Sequence, residues 1–177
     1  MAFLLFLIFI YLVVAIFFYA KKREAYDHFN YTISELGESG SEYEKQVSYF
    51  VFFPVGLGCI IVSYFIYDNY YQAAIISGAL GFSYLLSAFF PCDPGTPLIG
   101  TWKNAIHNIV GGLCYGAMTY QLNILMHNNG GWYFNVSFML LCGFLIIFLA
   151  GFPRFLIGSS QRLAETSIFL SVFFITY

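Results

Sequence analysis

Polar residues cut the chain into six long apolar runs, roughly 2–20, 47–67, 72–90, 105–126, 132–151 and 159–177. Each reaches or approaches the ~20 residues that carry a helix across a hydrocarbon core ~30 Å thick. No other feature constrains the fold as strongly. Inside hydrocarbon no water completes a broken backbone hydrogen bond, so a continuous spanning run must be helical. A membrane barrel would instead show alternating segments of ~10 residues. The composition points the same way, with 60% of residues hydrophobic and only 9% charged. A soluble domain carries about a quarter charged residues, so this chain has too little polar surface to coat itself in water. The runs therefore predict an all-α membrane protein: a bundle of six transmembrane helices forming one domain, 1–177, with no linker, repeat or low-complexity tract.

The basic residues are segregated. Lys21, Lys22, Arg23 and Lys45 are assigned to the connection between the first two runs, Lys103 to that between the third and fourth, and Arg154 and Arg162 to that between the fifth and sixth. The connections DNYYQ and HNNGG have none. By the positive-inside rule the three basic connections face the cytoplasm of a cell-membrane protein, and both termini face outward. The run 2–20 reads as a retained span. It is long for a leader, no basic residue precedes it, and Phe18-Tyr19-Ala20 is a poor A-x-A cleavage site. A net charge of −2 without a basic cluster interleaved with aromatics argues against a nucleic-acid partner. Cys59, Cys92, Cys114 and Cys142 form no CxxC pair, which argues against structural zinc or a disulfide framework.

Small residues suggest where helices meet, because membrane helices pack by close backbone approach. The second run carries Gly56 and Gly58, and the third Ser77, Gly78 and Gly81. The fourth carries a GxxxG, Gly112 to Gly116, after Gly111. This GxxxG is expected to pack inside the bundle, with a dimer face as the alternative. The first run has no glycine and belongs at the lipid-facing edge. In the long first connection, NYTISELGESGSEYEKQ, Ser41 with Glu44 reads as a capping box for the second helix. Thr32 with Glu35 reads as another, opening a short interfacial helix, and ELGESGS between them as a turn.

Ionisable residues gather on the basic side, most conspicuously in LSAFFPCDPGTPLIGTWKNAIHN, residues 87–109. Asp93 opens an Asp-Pro-Gly turn, which it would also serve as a simple cap. His107 shares a helix face with Gly111, Cys114 and Met118 and is expected to point into the bundle. A neutral ring bonded to a nearby carbonyl is the plainer alternative. Glu165 falls ~9 Å along its helix from Ser159, at or just below the hydrocarbon edge. A carboxylate at that depth faces a cavity or a partner, and Arg162, one turn earlier, is the local partner. Glu35, Asp93, His107, Arg162 and Glu165 come from three connections on one face. They are expected to converge into a ligand-binding site, with Asp93, His107, Arg162 and Glu165 in one cluster. No HExxH, GxSxG or P-loop is present. His28, His107 and His127 do not stand at metal-ligand spacing, so no metal or cofactor is assigned.

Four segments together resemble one family: TISELG after the first run, FFPCDPG leaving the third, HN with small residues opening the fourth, and GSSQRLAE opening the last. From about Tyr31 to Glu165 the chain resembles the prokaryotic multi-pass membrane proteins catalogued as domain of unknown function 998. The resemblance implies a six-helix membrane fold and no established activity. ISELG is also similar to the first-loop motif of the Frag1/DRAM/Sfk1 proteins, which are associated with lipid handling. That likeness implies a motif loop on the non-cytoplasmic side, against the charge count.

Three functions fit these residues. The first is binding or moving a lipid or other amphipathic ligand at a polar interfacial site, with membrane lipids as partners, because basic and hydrogen-bonding groups at this depth meet headgroups first. The second is an intramembrane enzyme using His107 as acid/base beside Asp93 or Glu165. The third is an accessory subunit of a membrane complex, its buried polar groups only holding the bundle together.

Overall fold

The computed structural model describes residues 1–129, 131–151 and 154–177; Gly130, in the connection HNNGG, lies outside them. Six long helices follow one another: α1 Ala2–Lys22, α2 Glu44–Ile66, α3 Tyr71–Phe89, α4 Trp102–Asn129, α5 Trp132–Ala150 and α6 Ile157–Thr176. No strand occurs among the described residues. Each apolar run has become a helix, and the ends fall within about a turn of those expected. Four helices, α1, α2, α3 and α5, are long and apolar enough to cross a membrane. The other two interrupt their apolar runs with Asn104, His107 and Gln121 in α4, and with Gln161, Arg162 and Glu165 in α6.

The helices form a ring in chain order, closed by α6 against α1, with α3 and α6 meeting across the middle. As expected, α1 lies at an edge. It buries Leu5, Ile8, Leu12, Ala15 and Ile16 at helical spacing and exposes Phe3, Phe6, Val14 and Phe17. It also serves its neighbour. Pro54 has no N–H to give the Phe50 carbonyl, and its ring crowds that oxygen. A π-helical turn covers Ser48–Phe52, just before Pro54, and the Tyr11 hydroxyl donates to the Phe50 carbonyl.

Between α2 and α3 the small residues act as expected. A Cβ on Gly56 would lie 2.7 Å from the Gly81 carbonyl oxygen, and one on Gly81 would lie 2.7 Å from that of Gly56. Ser77 donates to the Cys59 carbonyl at 2.8 Å and Ser63 to that of Ala74 at 2.7 Å. The GxxxG of α4 behaves otherwise. Gly112 and Gly116 are exposed, and a Cβ on either would meet no atom within 4 Å. The expectation that this motif packs inside the bundle is overturned: α4 packs through Cys114, Tyr115, Met118, Leu122 and Leu125.

In the first connection a single 3-10 turn, Ser34–Gly37, stands where a short helix is expected. Its capping box forms. Thr32 gives its N–H (2.7 Å) and hydroxyl (2.9 Å) to the Glu35 carboxylate, and the Glu35 N–H donates to the Thr32 hydroxyl oxygen at 3.2 Å. The second box does not form. The chain turns at Gly40 with φ 80°, and the Glu44 carboxylate accepts from the Gly40 N–H at 2.6 Å, leaving the Ser41 hydroxyl without a partner.

Candidate functional site

The up-and-down order brings the three basic connections to one end of the bundle, and hydrogen bonds tie them together. The Ser39 N–H donates to the Cys92 carbonyl at 2.8 Å, and the Gly158 N–H to that of Phe29 at 2.9 Å. Arg23 pairs with Glu38 and donates to the Glu35 carbonyl. Arg154 donates to the Glu35 carboxylate at 3.0 Å. Glu35 is 1% exposed. Burial pushes its carboxyl above the usual range, against the opposing pull of the two Thr32 donors and of Arg154.

Arg162 is the fastener of this end. Its Nη1 donates to the carbonyls of His28, Tyr31 and Gly158 at 2.8, 2.8 and 2.9 Å, and its Nη2 to the Tyr26 hydroxyl at 2.7 Å. Tyr26 in turn donates to the Thr32 carbonyl at 2.7 Å. Burial raises the Tyr26 hydroxyl to about 12 although Arg162 pulls the other way, so it stays neutral and bridges the two. A guanidinium so committed to backbone holds the first connection against the start of α6.

Beneath this layer lies Glu165, 4% exposed, among neutral donors. Tyr84 of α3 donates to its Oε2. Tyr115 of α4 donates to Oε1 at 2.5 Å, and Gln161, one turn earlier on α6, at 3.0 Å. Gln161 also accepts from the Ile33 N–H at 2.7 Å, which couples the carboxylate to the first connection. Donors from α3, α4 and α6 thus converge on one acid. No Lys, Arg or His pairs with it among the described residues, where the ion pairs are Arg23–Glu38 and Arg154–Glu35.

Glu165 faces a cavity of about 50 Å³. Ser83, Tyr84 and Ser87 of α3 form one wall, and His107, Asn108 and Tyr115 of α4 another. Phe144 and Phe148 of α5 supply aromatic surface, and Thr32 to Ser34 of the first connection close the end. Gly111 and Gly112 also line it, and a Cβ on either would meet nothing within 4 Å. Gly112 is also exposed, so it sets no side chain between the cavity and the outer face of α4. Thr96, at the cavity edge, holds φ 44°, an unusual backbone for a β-branched residue.

Of the five residues expected to converge, His107 and Glu165 line the cavity and Glu35, Asp93 and Arg162 do not. No hydrogen bond or ion pair joins Asp93, His107, Arg162 and Glu165 to one another among the described residues. His107 lines the cavity, and its Nδ1 lies 3.0 Å from the Phe90 carbonyl, as in the plainer alternative. Asp93 is a cap. It accepts from the Thr101 N–H (2.6 Å) and hydroxyl (2.8 Å) just before α4, and its carbonyl accepts from Thr96 across the expected turn. Arg162 turns its Nη atoms to carbonyls and the Tyr26 hydroxyl, and makes no hydrogen bond or ion pair to Glu165 among the described residues. Tyr84, Tyr115 and Gln161 escape a sequence reading. Gln161 alone carried a signal, standing four residues before Glu165 on the same helix face.

Residues 6–127 match the family described as "Protein of unknown function (DUF998)". No curated protein and no solved structure matches the chain, and nothing in these comparisons supports the further likeness of ISELG to the Frag1/DRAM/Sfk1 proteins.

Proposed function

The chain belongs to the DUF998 family, and on that premise we propose that it is a six-span protein of the cell membrane whose cavity at Glu165 holds the head of an amphipathic ligand, a lipid among the candidates. The observation that carries this reading is a buried carboxylate facing a cavity inside a bundle whose outer surface is apolar. An ionisable group at such depth is costly and usually marks a ligand path. Two features support it. All the Lys and Arg residues lie toward the end where the cavity is closed by the first connection, which by the positive-inside rule is the cytoplasmic end. The bare glycine edge of the cavity on α4 lies where a chain-bearing molecule would enter from the bilayer.

The geometry favours binding over acid/base catalysis. His107 Nδ1 is engaged by a backbone carbonyl, and both Glu165 oxygens by hydroxyls. The test is native mass spectrometry of the protein released from mild detergent, wild type beside Gly111→Trp, whose indole would fill the cavity. A lipid-sized adduct on the wild type and none on the variant is the expected result. A wild type free of any adduct, after incubation with total membrane lipid, would sink the reading.

A further inference from the structure

Resting on that reading of the cavity, we propose that the ligand's head is a primary ammonium, with Glu165 as its counter-charge. The lining carries one acidic side chain and neither Lys nor Arg. Of the nearby guanidiniums, Arg154 pairs with Glu35, and Arg162 gives its two Nη atoms to backbone carbonyls and the Tyr26 hydroxyl, leaving only its Nε without a partner. A phosphate or sulfate buried here would face the Glu165 carboxylate directly, a like-charge contact that burial makes costly.

The hydrogen-bonding inventory points the same way. A carboxylate offers about four acceptor sites, and Glu165 uses three, for Tyr84, Tyr115 and Gln161. Asn108 supplies a second acceptor. Its Nδ2 donates to the Pro97 carbonyl at 2.9 Å, which orients the amide, and its buried Oδ1 has no partner. The Tyr84 and Tyr115 hydroxyl hydrogens are already spent on Glu165, and the other lining hydroxyls, of Ser34, Ser83, Ser87 and Thr96, can accept as well as donate. An ammonium is the complement of such a site, with three donors and no acceptor. The rings of Phe144 and Phe148 add faces that attract a cation.

Size agrees with this choice. A volume of about 50 Å³ is room for a few water molecules at ~10–15 Å³ each. That accommodates a small ammonium head. The tail leaves across Gly112, where no side chain bars it.

Phosphatidylethanolamine and a simple alkylamine both carry this head, and binding assays on the protein in detergent separate them. The probes are phosphatidylethanolamine, phosphatidylcholine and phosphatidylglycerol with matched acyl chains, and dodecylamine beside dodecyl sulfate. Wild type should retain the primary amines about tenfold better than their partners, and Glu165→Gln, which keeps the side chain's size, should erase that preference. Phosphatidylethanolamine retained with dodecylamine identifies an aminolipid, and dodecylamine alone identifies a free amine; both uphold the inference. Equal retention of all three phospholipids, each lost in Gly111→Trp, would overturn the ammonium head and leave the amphiphile site standing. A preference unchanged in Glu165→Gln would overturn Glu165 as the counter-charge. Should that variant fail to fold, the ranking of probes on wild type decides alone.

Discussion

Glycine serves opposite ends in two regions of this bundle. Between α2 and α3, Gly56 and Gly81 bring two backbones so close that a Cβ on either would strike the other's carbonyl oxygen. Along α4, Gly111, Gly112 and Gly116 face nothing within 4 Å. The local sequences do not separate the two cases; the facing helix does. Where α2 meets α3, both sides are small, with Gly56, Cys59 and Ser63 opposite Ser77, Gly78 and Gly81. Opposite α4, α5 presents Phe144, whose ring centroid lies 5.1 Å from that of Tyr115. Bulky rings hold the two backbones apart at that level, and the cavity lies there. A glycine stripe in hydrocarbon closes a contact only when its partner is also small.

The sharpest break of this comparison is Gly81→Leu. Its Cβ would meet two backbone atoms that cannot swing aside, the Gly56 carbonyl oxygen at 2.7 Å and the Ile60 N at 2.9 Å, besides the Ile60 Cγ1 at 2.9 Å. Overpacking costs about 1–3 kcal/mol where side chains can shift, and more where backbone must. Loss of the monodisperse peak in size-exclusion chromatography is expected. A variant that melts with wild type would mean that the α2–α3 contact is looser than described.

Next in size is Tyr115→Phe, on the open side. It removes a hydroxyl that donates to a buried carboxyl group, worth about 1–3 kcal/mol, while keeping the ring against Phe144. Tyr84→Phe should cost a similar amount. Because both hydroxyls serve one acid, their effects should not add. A double variant whose loss equals the sum of the singles would show that the two tyrosines do not act through Glu165.

How much of this was legible in the sequence differs between the two regions. The helices were, because an uninterrupted apolar run in hydrocarbon has one way to satisfy its backbone. The α2–α3 contact was, because both partners carry small residues. Glu165 stood out as a charge below the interface, and His107 as a polar group on an inward face. Tyr84 and Tyr115 were hidden among 15 tyrosines, since a tyrosine in an apolar run looks the same whether its hydroxyl meets an acid or a headgroup. Arg162 misled for a related reason. Spacing placed it one turn from Glu165, but the first connection folds over it and offers carbonyls nearer to hand.

A smaller effect tests the lid of the cavity. Burial raises Glu35 above the ordinary carboxylate range. A raised folded value means that its contribution to stability is fullest below the unfolded value and is lost as pH rises through the folded one. Melting temperature followed upward from pH ~4 should therefore decline in wild type more than in Glu35→Gln, which cannot ionise. Identical slopes would show that Thr32 and Arg154 offset the burial of this carboxyl in full.

The smallest expected change is the most informative about α4. Gly116→Leu and Gly112→Leu place a large side chain on a face where a Cβ meets nothing within 4 Å, and leucine is the better helix former. Stability should stay within about 0.5 kcal/mol of wild type, as for substitutions on an open surface, in contrast to Gly81→Leu. The two should differ from each other in ligand retention. Gly112 lines the cavity and Gly116 does not, so Gly112→Leu should lower the amount of co-purified amphiphile while Gly116→Leu leaves it unchanged. Thermal melting and native mass spectrometry on the same preparations read both quantities. If instead both variants lose more than about 1 kcal/mol and the mass of the complex falls from two chains to one, the glycine face of α4 is covered by a second copy. The GxxxG would then be a packing motif after all, between chains and not within one.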